Sequence, residues 1–125
     1  MVLGPEALKE GLTMALDLIG PRKKVLAIPP DITRYYSQAG LLTEMAWEYY
    51  GDRMSDVLPA LGTHAAMSSD EISRMFGKVP ASLFRVHDWR NDVVTLGEVP
   101  ASYVKEVSEG RIDYSWPAQV NRLLR

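Results

Sequence analysis

Amphipathic helical stretches alternate with short apolar runs closed by proline or glycine along most of this chain, and that alternation restricts the fold more than any other feature. Gly4-Pro5 opens the first helical stretch, in which Leu8, Leu12, Ala15, Leu16 and Ile19 recur at helical spacing until Gly20-Pro21 stops it. Val25-Leu26-Ala27-Ile28 follows as a run of buried-strand type, ended by Pro29-Pro30 because neither residue can donate to a ladder. The polar stretch Asp31 to Ser37 leads into a second helical pattern from about Gln38 to Tyr50, which Gly51 terminates. Asp56 to Leu61 reads as the next strand, weakened at its centre by Pro59. Ser68-Ser69-Asp70-Glu71 forms a capping box before a third helix that closes at Gly77. Leu83 to Val86 and Val93 to Leu96 are predicted strands, Tyr103 to Val107 is strand or helix, and Pro117 to Leu124 is predicted as a final helix.

Helix and strand in alternation build right-handed βαβ units on a parallel sheet. The expectation is therefore an α/β fold over residues 1–125: one domain, three layers, a mostly parallel Rossmann-like sheet with helices on both faces. The 125 residues, 46% of them apolar, suffice for one such core. With 14 basic against 16 acidic residues, the net charge of -2 leaves no electrostatic footprint for nucleic acid or an anionic membrane. The absence of cysteine excludes disulfides, thiolate metal sites and a cysteine nucleophile. No apolar run approaches the ~20 residues of a membrane span. Glu6, Lys9 and Glu10 interrupt the N-terminal stretch where a signal peptide would be apolar, so a cytoplasmic protein is expected.

In a parallel sheet the carboxyl ends of successive strands share one rim, where open α/β sheets bind ligands. The polar residues collect there. Asp31, Thr33, Arg34 and Ser37 follow the first predicted strand, Thr63 and His64 the second, and His87 and Asp88 the third. Both histidines of the chain fall directly after a predicted strand. Each group also has a purely structural reading: Asp31 and Thr33 as turn or cap residues, and His87 with Asp88 as a local pair. The chain carries no G-x-G-x-x-G or Walker phosphate loop, no G-x-S-x-G elbow, and no histidine–carboxylate spacing of a metal site.

The segment VLAIPPDITRYYS, Val25 to Ser37, resembles the strand and D-x-T-R loop of the lactate racemase family. ALGTHAAMSSDE, Ala60 to Glu71, resembles its G-x-H motif, and RVHDW, Arg85 to Trp89, its next His-Asp motif. LGEVP, Leu96 to Pro100, and QVNRLL, Gln119 to Leu124, also fit the family's pattern. The resemblance implies racemisation or epimerisation of a 2-hydroxy acid by reversible hydride transfer to a nickel pincer nucleotide. It further implies that His64 is one of two acid/base histidines, and that Asp31 and Arg34 contact cofactor and substrate. Thr33, Ser37 and Thr63 are then further cofactor contacts, Arg34 grips the substrate carboxylate, and His87 and Asp88 belong to a motif without an assigned role.

The family's second paired histidine, its cofactor-bearing lysine and its nickel-binding histidine find no counterpart here, and Ala65 and Ala66 stand where many relatives have arginine. The expectation is most of an N-terminal domain, without its second domain and without turnover on its own. A sheet edge left open in such a domain invites a homo-oligomer. The alternative is a non-catalytic module that binds a nucleotide or small anion in the same strand-end cleft.

Overall fold

The computed structural model describes residues 4–125 and has a mixed α/β architecture. It divides into two compact units, residues 1–87 and 88–125.

The first unit opens with helix α1, Pro5–Ile19, bounded by Gly4 and by Gly20 as the punctuation requires. Strand β1, Val25–Ala27, follows. The Asp31–Ser37 stretch, expected as a loop, forms a 3-10 helix over Ile32–Ser37, with Asp31 as its cap. Helix α2, Ala39–Tyr50, and strand β2, Met54–Val57, come next. The strand predicted at 56–61 thus lies two residues earlier and stops before Pro59, which has no N–H to give. Helix α3, Ser69–Phe76, begins at the predicted capping box: the Ser68 hydroxyl accepts from the Glu71 amide, and Glu71 accepts from the Ser68 amide.

β1 and β2 pair in parallel, as the βαβ reading requires. The strand expected at 83–86 is reduced to a single parallel bridge, Val57 to Phe84, with the Arg85 amide donating to the Val57 carbonyl at 2.8 Å. A 3-10 turn at Ala81–Leu83 consumes the preceding residues. The core consists of Tyr50, Met54, Val57, Met75, Phe76 and Val79, with Leu16, Ile32, Tyr35, Ile72 and Phe84 packed around it. Helices α2 and α3 meet so closely at Gly40 that a Cβ there would lie 1.9 Å from the Met75 carbonyl oxygen. Two polar contacts join α1 to α2: Lys9 to Glu48 at 2.9 Å, and the Tyr49 hydroxyl to the Asp17 carboxylate at 2.5 Å.

The second unit departs further from expectation. Strand β3, Val93–Val99, contains the predicted 93–96 segment but pairs antiparallel with strand β4, Trp116–Asn121. The helix predicted at 117–124 is therefore a strand ending in one 3-10 turn, Arg122–Leu124. Val120, Leu123 and Leu124 imitate helical spacing, but cross-strand pairing overrides so short a pattern. The ladder slips between Thr95 and Gly97, leaving Leu96 as the extra residue of a bulge. Helix α4, Ala101–Val107, settles the ambiguous 103–107 segment. Among the described residues the two sheets have two strands each. No described helix is long and apolar enough to cross a membrane.

Candidate functional site

Parallel pairing continues beyond the regular strands. The Leu58 amide donates to the Ala27 carbonyl and the Ala60 amide to the Pro29 carbonyl, each at 2.8 Å. Prolines cannot donate but still accept, so the Pro29-Pro30 segment remains stitched to the chain leaving β2. The two exit loops consequently run side by side. Leu61 to His64 then closes a turn, the His64 amide donating to the Leu61 carbonyl at 2.9 Å. Gly62 supplies the positive φ of 58° which that turn needs.

This backbone brings together two side chains 33 residues apart. Oδ2 of Asp31 lies 2.6 Å from Nδ1 of His64. Asp31 is buried at 5% exposure, whereas the His64 side chain is 57% exposed. The other carboxylate oxygen, Oδ1, accepts both the Thr33 amide at 3.1 Å and the Thr33 hydroxyl at 2.5 Å. These bonds hold the Asp31 carboxyl below its ordinary value of 3.8, the Thr33 hydroxyl first and the His64 contact second, against the opposing effect of burial. An ionised carboxylate only accepts, so Nδ1 of His64 carries the proton of the shared bond. In the neutral form of the ring, Nε2 then carries the lone pair on an accessible face, able to take a proton from a hydroxyl and to return it.

The remaining expected site residues divide. Arg34 is adjacent and exposed, and its guanidinium has no ion-pair partner among the described residues. Its backbone departs from helical values at φ -107°, ψ 26° inside the 3-10 segment, and its amide donates to the Asp31 carbonyl at 3.0 Å. Thr63 is exposed in the turn before His64. Ser37 has structural work, its hydroxyl accepting from the Ala39 amide at 3.2 Å where α2 begins. Asp88 also has a local task. Its carboxylate accepts from the Arg90 and Asn91 amides at 2.9 and 3.0 Å and from the Asn91 side chain at 2.8 Å. Those bonds, the Asn91 side chain foremost, lower its carboxyl from the usual range. His87 is half-buried at the end of the first unit.

Two features were not foreseen. Asp31 is bonded to His64 rather than to Arg34; the D-x-T and G-T-H spacing put both on one rim without saying which partner the carboxylate takes. Arg74 on α3 lies over the Tyr35 ring, 4.7 Å from its centroid, beside a cavity of about 130 Å³ that Tyr36, Gln38 and Gly40 also line. No sequence motif marked that contact.

No family model matches this chain, and no curated protein matches it. Among solved structures it is similar to the crystal structure of a protein from Thermotoga maritima determined in a structural genomics programme. The two share 30% sequence identity with a TM-score of 0.82, over 98% of this chain and 31% of that one. The chain thus spans about a third of the length of the Thermotoga protein it matches.

Proposed function

We propose that this chain is the acid/base half of a lactate racemase-like site, in which His64 exchanges a proton with the hydroxyl of a 2-hydroxy acid. The 2.6 Å contact between Asp31 and His64 carries the reading. It joins the D-x-T-R and G-T-H segments, and it leaves Nε2 available as a base. On this reading β1, β2 and the Phe84 bridge begin a wider, mostly parallel Rossmann-like sheet of three layers in a cytoplasmic protein.

The division of labour follows from the side chains. His64 Nε2 would take the hydroxyl proton of one enantiomer and return it when that enantiomer re-forms, the second of the paired histidines that the resemblance implies serving the opposite face. Asp31 keeps the imidazole in the required tautomer and offsets the positive charge that builds on it. Arg34, exposed, adjacent and without an ion-pair partner among the described residues, would grip the substrate carboxylate through its paired N–H donors. When bound, a nickel pincer nucleotide supplies reversible hydride acceptance. Among the described residues no cluster of three or more His, Cys, Asp or Glu side chains could hold a metal ion. Arg34 and Thr63, both exposed in the loops that follow β1 and β2, would hold the polar periphery of such a nucleotide.

The protein carrying this chain, loaded with the nickel cofactor, should interconvert the enantiomers of at least one member of a panel of 2-hydroxy acids. His64→Ala should lower kcat roughly a hundredfold to ten-thousandfold, as expected for a lost general base, with the circular dichroism spectrum unchanged. A cofactor-loaded protein inactive on the whole panel would reject the substrate class. An unimpaired His64→Ala would reject the base.

A further inference from the structure

Thr33 looks at first like a ligand contact: it is exposed, polar and one residue from Arg34. Its bonds indicate a different task. The Asp31 carboxylate has two oxygens and two partners, and they are sorted without overlap. Oδ1 receives the Thr33 amide and hydroxyl, while Oδ2 faces Nδ1 of His64.

The amide alone would be a weak restraint, because a carboxylate that turns about its own Cβ–Cγ bond can offer either oxygen to the same N–H. The hydroxyl, reaching Oδ1 from the side chain of the same residue, adds a second donor and fixes the plane of the carboxylate. The oxygen left over must then lie toward the β2 exit loop. A buried carboxylate cannot turn to water for an alternative partner, so its orientation passes directly to whatever sits on Oδ2. What sits there is His64, whose ring is otherwise mostly exposed.

We infer that Thr33 is a positioning residue for His64 rather than a cofactor contact: its hydroxyl holds the Asp31 carboxylate so that Nδ1 of His64 is the protonated nitrogen and Nε2 the free one. The inference rests on the same Asp31–His64 pair as the proposed function, but it concerns the state of the imidazole and needs no turnover to be tested. It also explains why Arg34 has no acidic partner among the described residues although a buried carboxylate lies beside it. Both oxygens of Asp31 are already engaged, so the guanidinium stays open to an external anion.

The test uses the full 125-residue chain labelled with ¹⁵N-histidine, together with Thr33→Val, which keeps the shape and removes the hydroxyl, and Thr33→Ser, which restores it. Two-bond ¹H–¹⁵N spectra above neutral pH distinguish the tautomers at His64. The native chain and Thr33→Ser should show a protonated Nδ1 and a bare Nε2. Thr33→Val should show a mixture, with the Nε2–H form increased at least severalfold. Retention of the native tautomer by Thr33→Val would overturn the inference, as would a Thr33→Ser spectrum as altered as that of Thr33→Val. Should Thr33→Val fail to fold, the native spectrum decides alone: a predominantly Nε2–H imidazole contradicts the assignment. A chain with the expected tautomers but no racemase activity in the loaded protein would refute the proposed function and leave Thr33's role standing.

Discussion

Asp31 shows how one buried residue couples the sequence to the chemistry. Its carboxyl is held below 3.8, first by the Thr33 hydroxyl and then by His64, so its folded value lies below its unfolded one. The sign follows from linkage. The stabilisation is fully present above the unfolded value and is lost as pH falls through the lowered folded value. Asp31→Asn removes this titration. Urea unfolding should therefore show a shallower loss of stability on acidification below about pH 4 in the variant than in the native chain. Equal slopes would mean that Asp31 is not held ionised by its partners. At this scale the sequence was informative about which residues gather and poor about their pairing. Asp31, Thr33, Arg34 and His64 could all be read from strand-end positions. The choice of His64 over Arg34 depended on Gly62 turning the second loop inward and on Pro29 accepting from Ala60, which are three-dimensional facts. Asp88 differs: where the structural reading offers a local pair with His87, its carboxylate accepts from the Arg90 and Asn91 amides of its own turn.

Among the elements, those with strong local punctuation were legible and those defined by pairing were not. α1, α2 and α3 sit within a residue of their predicted limits because Gly20, Gly51, Gly77 and the Ser68–Glu71 box act locally. The spacing in β4 reads as a helix because only its register with β3 distinguishes it, and that partner lies some twenty residues away. The α2–α3 contact gives a sharp test of packing. Gly40→Ala would drive a methyl to 1.9 Å from a backbone carbonyl of α3, which cannot swing aside as a side chain would. It should destabilise the chain by about 1–3 kcal/mol, the usual cost of overpacking, read as a lower urea midpoint. Gly11→Ala in α1 is the control, since no atom lies within 4 Å of its added Cβ. There the alanine should stabilise by about 0.5–1 kcal/mol through helix propensity alone. Similar shifts for the two would show that α2 and α3 are not in contact at Gly40.

At the scale of the molecule, the alternation of helix and strand correctly indicated an α/β fold and a parallel pair with a common rim. Among the described residues, β1, β2 and one bridge at Phe84 follow the parallel plan, while β3 and β4 form an antiparallel ribbon of their own. Patterning records which face of a segment is buried, not the direction of its neighbour, so the change of plan after His87 left no trace in the apolar spacing. The site belongs wholly to the parallel part, where residues 33 positions apart meet because two strands end side by side. A double-mutant cycle on the unfolding of the chain at neutral pH tests that meeting directly, using Asp31→Asn, His64→Gln and the pair. A coupling of at least about 0.5 kcal/mol between the two positions is expected. Effects that add within about 0.3 kcal/mol would contradict it, because groups that do not touch do not couple.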